Sequence, residues 1–271
     1  MKLIKEEWYR AIKVRNSRRT FQERKIKDIT FDKLEKFISE LNQSLTASRA
    51  VLFRSGCNEI LKGVVGSYGI ISGANAYLAF IGNKNESNFQ AQTGYLGEAV
   101  ILEATHLELD SCWIGGFFKK EDLTNQLNLA EQEEILAIAP IGHADSKKSL
   151  KEKFIKLVSF GNKRKEVNEL CLDGFKSSWP GWIRTGIKAA RLAPSAMNRQ
   201  PWRFSAPDNM KVKIMSTKGE GKFGVDKKLD CGIAMLHFEV GALFSGAKGE
   251  WKYLNDAEEN EIAEFHLDKI L

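Results

Sequence analysis

Two stretches of the chain are apolar almost all the way round a helix: residues 94–109 (GYLGEAVILEATHLEL) and 231–247 (CGIAMLHFEVGALFSGA). A helix with one apolar stripe lies on a core, whereas a helix that is apolar on every side has to be enclosed. Neither run approaches the ~20 consecutive apolar residues that a bilayer crossing requires, so the enclosure is expected to be protein. The chain is therefore expected to build cover around two central helices.

The flanking patterns supply that cover twice. Before the first buried helix, residues 4–13 and 31–41 place apolar groups at three- and four-residue spacing and predict amphipathic helices. Thr30 is the expected cap of the second of these, with Lys33 where a capping-box Glu would stand. Residues 76–82 (AYLAFIG) predict a buried strand. After the buried helix come a short strand at 111–117 that breaks into a glycine turn, a polar helix at 120–128 and a buried strand at 134–142. The order then restarts, with helices at 164–173 and 180–192 (Pro180 near the first turn of the latter). Strands at 201–205 and 211–216, the second buried helix and a strand at 250–254 complete it. This order predicts an α+β fold of two related halves, residues 1–160 and 161–271, joined near Gly161. Sequence identity between the halves is low, so the duplication rests on element order. A single mixed α+β domain without internal symmetry is the alternative.

Composition narrows the partners. The chain of 271 residues is 43% hydrophobic and 28% charged, with a net charge of +6, ordinary for a soluble globular protein. Met1 to Phe21 has no continuous apolar core of the kind a secretory signal needs, and a cytoplasmic location is expected. Cys57, Cys112, Cys171 and Cys231 lack metal-site or redox-motif spacing and read as buried free thiols. The densest basic stretch, Lys147 to Lys165, has few aromatics. A solvated helix and linker is the first reading of it, a phosphate contact at its start the second, and a nucleic-acid surface the last. No nucleic-acid or membrane partner is expected.

Three local motifs carry chemistry. Arg15-Asn16-Ser17-Arg18-Arg19 follows the first helix. On an extended stretch, residues 15, 17 and 19 share one side, and guanidinium groups bind phosphate through paired charge-assisted hydrogen bonds. Alone, such a pattern is also what a solvated basic loop looks like. Ala193-Pro194-Ser195-Ala196-Met197-Asn198-Arg199-Gln200-Pro201-Trp202 brackets a small hydrogen-bonding segment between two prolines. These fix the backbone that presents Ser195, Asn198 and Gln200. Trp113-Ile114-Gly115-Gly116-Phe117 sets two glycines at the end of a strand, where backbone amides can approach a planar ligand.

Together these residues resemble the nitroreductase family of FMN-dependent oxidoreductases, with PSAMNRQPW the most specific element. The order of pieces is closest to a subgroup in which one chain contains two halves. The usual member is a homodimer that holds FMN between subunits, and the resemblance implies that here the two halves form an internal pseudo-dimer, active as a monomer. It further implies that Arg15, Ser17 and Arg19 contact the flavin phosphate, ribityl chain and pyrimidine edge. Gly115 and Gly116 would turn backbone amides toward N5 and O4. Pro194, Ser195, Ala196, Met197 and Asn198 would lie along the isoalloxazine, and Lys147 and Lys148 would reach the phosphate. The first half lacks the PSAMNRQPW loop, its nearest counterpart being LTASRAVLFRS. The second half lacks the other two motifs. One FMN per chain, at the junction of the halves, is the consequence.

The implied activity moves electrons from NADH or NADPH through FMN to a small-molecule acceptor such as a nitroaromatic or a quinone. No protein nucleophile or metal is called for. Other flavin chemistry on the same fold remains open (dehalogenation, ring oxidation or flavin fragmentation), as does a protein that binds FMN without turnover.

Overall fold

Each apolar stretch forms most of an 18-residue helix, α4 (Phe89–His106) and α7 (Lys227–Phe244), in which almost every central residue is buried. The computed structural model describes residues 4–61, 71–144, 163–219, 224–254 and 260–271. Both helices begin about one turn before their apolar runs. The start of α7 is fixed by Asp226, whose side chain accepts from the Lys228 amide, a standard N-cap bond.

Each long helix is the crossover of its own sheet. The first sheet contains β1 (Ser48–Phe53), β2 (Ala76–Asn83), β3 (Asp110–Ser111) and β4 (Glu133–Gly142), in the order β1-β2-β4-β3. The second contains β5 (Trp202–Ser205), β6 (Lys211–Ser216), β7 (Ala247–Tyr253) and β8 (Glu261–Ile270), in the order β5-β6-β8-β7. All neighbours pair antiparallel. In both sheets the helix leaves the second strand and returns to the third. A register shift also interrupts the equivalent central pair in each, at Phe80/Ile81 and at Ile214/Met215. The shorter helices α1 (Trp8–Val14) and α2 (Asp28–Ser44) cover α4, and α6 (Gly181–Ala190) covers α7; α3 (Cys57–Leu61) and α5 (Lys120–Leu127) pack on each other.

The two sheets meet through α4 and α7, whose backbones touch. A Cβ placed on Gly94 would lie 2.0 Å from the Leu229 carbonyl oxygen, and one on Gly232 would lie 1.9 Å from that of Ala91. The contact is reciprocal. Gly94 and Gly232 are each the sixth residue of their helix, and each meets the third residue of the other. Such mutual contact is the mark of an approximate two-fold axis.

The sequence expectations need several corrections. Strands β1 and β8 were not anticipated; β8 hides its buried Ile262, Ala263 and Phe265 among charged residues. The strand expected at 111–117 shrinks to Asp110–Ser111 plus a single bridge from Ile114 to Ile138. The helix expected at 164–173 is only a 3₁₀ turn, Val167–Leu170, because the backbone at 163–165 is tied to side chains of the PSAMNRQPW loop. The first helix starts at Trp8, and α2 starts at Asp28, which leaves Thr30 inside its first turn instead of at the cap. Pro180 stands at the N-cap of α6. The proposed join at Gly161 lies outside the described residues. Among the described residues no helix is long and apolar enough to cross a membrane.

Gly94→Ala and Gly232→Ala should each destabilise the protein by about 1–3 kcal/mol through overpacking. Because both methyl groups spread the same crossing, the double variant should cost less than the sum of the two. Urea unfolding of the four proteins checks this. Full additivity would mean that the two glycines do not share one contact.

Candidate functional site

The chain leaves α1 at Arg15, whose amide still donates to the Ala11 carbonyl at 2.8 Å while its own backbone has turned extended. The following residues run along the β3 edge of the first sheet. Ser17 bridges Ser111, the Arg18 amide donates to the Ser111 carbonyl at 2.9 Å, and Thr20 and Phe21 bridge Ser72 and Ala144. The R-x-S-x-R segment is thus an extended strip. Arg15 points back into the protein, 5% exposed, with Nε 3.8 Å from Glu98 Oε1. Its Nε and Nη1 are buried and, among the described residues, meet no acceptor; the Ser111 hydroxyl is in the same state. Arg18 and Arg19 have partners of their own.

Glu98, one turn along α4 from Gly94, gathers the neighbouring groups. It is fully buried. Its Oε2 accepts from Trp113 Nε1 at 2.7 Å, and its Oε1 lies 2.8 Å from His237 Nε2 on α7. Trp113 opens the W-I-G-G-F turn, so this turn and the R-x-S-x-R strip both converge on one carboxylate. Gly115 sits under Val225, just before α7; a Cβ there would lie 2.6 Å from a Val225 methyl. Gly116 is exposed. Among the described residues, the amides of Gly115 and Gly116 meet no acceptor.

The PSAMNRQPW loop is held in an unusual backbone form. Met197, Asn198 and Gln200 have φ of 51°, 54° and 47°, a left-handed conformation that costs non-glycine residues energy and persists only when surroundings enforce it. The enforcing bonds are visible. Ser195 Oγ accepts from the Gln200 amide at 3.0 Å. Asn198 Nδ2 donates to the Lys163 carbonyl at 2.9 Å, and its Oδ1 accepts from Arg164 Nη1 at 2.8 Å. Gln200 Oε1 accepts from the Lys165 amide at 2.9 Å. The side chains of Ser195, Asn198 and Gln200 therefore brace the loop and the 163–165 segment. Pro194 is buried, while Ala196 and Met197 are partly exposed.

Arg199 and Asp230 lock this loop to α7. Arg199 Nε donates to Asp230 Oδ2 at 2.6 Å, Arg199 Nη2 donates to the Val225 and Asp226 carbonyls, and Asp230 Oδ1 accepts from the Ala196 amide at 3.1 Å. The same arginine thus fixes the PSAMN segment and the residue resting on Gly115. Burial raises the Asp230 carboxyl to about 6 and outweighs the opposing pull of Arg199 and the Ala196 amide.

Arg164 connects the two halves of the site. It is pushed down to about 10, first by burial, then by the like charges of Arg15 and Arg191, with Glu98 opposing. While bonded to Asn198, it stands within the field of Arg15 and Glu98. The structure thus brings Arg15, Ser17, Gly115 and the 194–198 loop around one junction. Lys147 and Lys148 lie outside the described residues. Sequence reading singled out neither Glu98, His237 and Asp230 nor Arg164 and Arg199. The available signal for the first three was an ionisable residue inside an enclosed helix, where a charge survives only if paired. Arg164 was absorbed into a basic stretch read as solvated.

The donor set suits an anionic, planar, oxygen-rich ligand such as FMN. Two guanidinium nitrogens of Arg15 and the Ser111 hydroxyl are buried and, among the described residues, unmatched. Orphaned buried donors are costly unless something accepts from them. Among the described residues no group of side chains could hold a metal. All four cysteines are buried, and burial pushes the thiols of Cys57 and Cys171 up to about 12 and 11, so neither offers a thiolate near neutral pH.

Asp230 makes a pH-dependent contribution that Asp230→Asn would abolish. Its carboxyl is raised in the fold, from 3.8 to about 6. The associated stability is therefore fully present below pH ~4 and is lost as pH rises through ~6. The stability of the native protein relative to Asp230→Asn should fall by roughly 3 kcal/mol across that window. Chemical denaturation of both proteins at pH 4, 5, 6 and 7 measures it; a difference that rises with pH would refute the assignment.

Comparison with known proteins is consistent with this architecture. Residues 7–242 match the sequence family described as "Putative TM nitroreductase". The structure is similar to that of a "putative nitroreductase" from Thermotoga maritima MSB8, with TM-score 0.62 and 17% identity over 97% of this chain and 94% of that one. Looser likenesses include a "putative NADH dehydrogenase/NAD(P)H nitroreductase" from Parabacteroides distasonis ATCC 8503 (TM-score 0.46, 13% identity, 64% of this chain and 99% of that one). Another is an FMN-dependent nitroreductase from Clostridium difficile R20291 (TM-score 0.42, 18% identity, 53% and 92%). No curated protein matches the chain significantly. With a family match that spans most of its length and a fold shared end to end with the Thermotoga protein, this chain belongs to the nitroreductase family.

Proposed function

We propose that the chain is an FMN-dependent oxidoreductase. It holds one FMN at the junction of its two sheets and passes electrons from NADH or NADPH to a small-molecule acceptor such as a nitroaromatic or a quinone. The observation that carries this reading is Arg15: a buried guanidinium with two nitrogens unmatched among the described residues, in a stretch that resembles the family's flavin loop, beside the carboxylate that also receives Trp113 of the glycine turn. Bound FMN would supply the two-electron chemistry at its N5.

The chain's own residues bind and orient. Arg15, Ser17 and Arg19 would hold the phosphate, ribityl chain and pyrimidine edge. The cationic pair would also stabilise negative charge that gathers on the ring. The Gly115 and Gly116 amides would donate to ring acceptors. Val225, resting on Gly115, would keep water from that edge. Pro194, Ala196 and Met197 would line the ring, while Ser195 and Asn198 act through the loop they brace. Lys147 and Lys148 are proposed as further phosphate contacts. On this reading residues 1–160 and 161–271 are the two members of a pseudo-dimer, and the chain functions as a monomer.

The purified protein should be yellow and should release FMN, one per chain, on denaturation. Arg19→Ala should weaken FMN binding by about 2 kcal/mol or more with little change in unfolding temperature, as read by flavin fluorescence titration. NADH or NADPH oxidation supported by a quinone or a nitroarene completes the test. Released FAD, or two FMN per chain, would refute the site. Bound FMN without any turnover would leave a binding protein.

A further inference from the structure

We infer that Glu98 and His237 share one proton, and that this proton leaves the charge of Arg15 free to act on an anionic ligand in the site. The inference rests on the functional reading above. Both side chains are fully buried and come from different halves, Glu98 from α4 and His237 from α7.

Hydrogen-bond partners fix the proton count. His237 Nδ1 lies 3.2 Å from the Ala189 carbonyl oxygen at the end of α6. A carbonyl only accepts, so Nδ1 carries a hydrogen. Nε2 lies 2.8 Å from Glu98 Oε1. With no proton between them, a lone pair would face a carboxylate oxygen in a site closed to water. One proton therefore sits between Nε2 and Oε1, whichever atom holds it. The other oxygen, Oε2, is already met by the Trp113 N–H.

The shared proton makes the Glu98–His237 pair neutral, and the position of Arg15 reflects this. A bare buried carboxylate would draw a neighbouring guanidinium into a paired hydrogen bond. Instead Arg15 Nε stays at 3.8 Å from Oε1, and its Nε and Nη1 make no hydrogen bond among the described residues. The charged groups facing the pair are Arg15, at the end of α1, and Arg164, before the 3₁₀ turn. Both are cations, so the region carries two positive charges while Glu98 is compensated by His237 and only one when it is not. Glu98 and His237 are thus positioning residues that act on the ligand through Arg15.

Two substitutions should move the flavin in opposite directions. His237→Gln keeps a donor toward Glu98 but removes the charge, so Glu98 captures Arg15. FMN binding should weaken about tenfold or more, and the FMN midpoint potential should fall. Glu98→Gln removes the negative end of the neutral pair, the end nearest Arg15, so the potential should rise and FMN binding should hold or tighten. The double variant should return the potential toward that of the native protein. Without any cofactor, NMR of the ¹⁵N-histidine-labelled native protein should show a downfield proton coupled to His237 Nε2. Shifts of the same sign in both single variants, or absence of that proton, would overturn the inference while FMN binding stands. A native protein that binds no FMN would instead overturn the functional reading, and the NMR resonance alone would then decide whether the pair shares a proton.

Discussion

The contact of α4 and α7 at Gly94 and Gly232 is the constraint on which the rest of the structure depends. Two enclosed helices approach until backbone meets backbone, which only residues without a Cβ allow. That closeness sets the reach of the side chains one turn further on. Glu98 can span to His237 on the facing helix because the helix axes are drawn together just before it. From Glu98 the connection continues to Trp113 and the glycine turn, and to Arg15 and the extended strip. Tyr95 makes a second such span, donating from its hydroxyl to Glu239 Oε2 at 2.7 Å. Burial raises that carboxyl to about 7, so the interface keeps its polar groups matched instead of leaving bare charges in an apolar seam.

A second level of order lies in the PSAMNRQPW loop. Left-handed backbone at Asn198 is tolerable, since asparagine is among the residues that visit this region most readily. Met197 and Gln200 have no such ease. Their conformation is held by bonds that come from several directions: Ser195 within the loop, Lys163 and Lys165 from the chain before it, and Asp230 from the helix below. The loop is rigid because these bonds over-determine it. This is how a short segment rich in small residues can keep a fixed shape.

Much of this was legible in the residues, for a physical reason. Apolar enclosure is a local property, so the helices around Gly94 and Gly232 could be read directly, and so could the buried strand ending at Gly82. The repeated element order followed from them. The family motifs were legible because turn chemistry also resides in adjacent residues. What could not be read were meetings of distant side chains. Nothing near Glu98 announces His237, and nothing near Arg164 announces Asn198. Strand β8 escaped because its inward residues alternate with Glu264, His266 and Asp268, a polar face that weakens the apolar signal. The helix expected over 164–173 failed for a related reason: its backbone amide at Lys165 is taken by Gln200, from a loop 35 positions away.

The reciprocal helix crossing has one more consequence. When such a crossing joins separate molecules, its occupancy follows mass action and is lost on dilution. Here both helices belong to one polypeptide, so the crossing forms at a fixed effective concentration set by the connecting chain. Side-chain contacts built across it stay assembled however scarce the protein becomes. Because the crossing does not have to serve two identical partners, its two sides are free to differ. Glu98 faces His237 across the seam, yet Leu236, at the helix position matching Glu98, bears no charge. Within one polypeptide, a nearly symmetric contact of backbones can carry an asymmetric set of side chains.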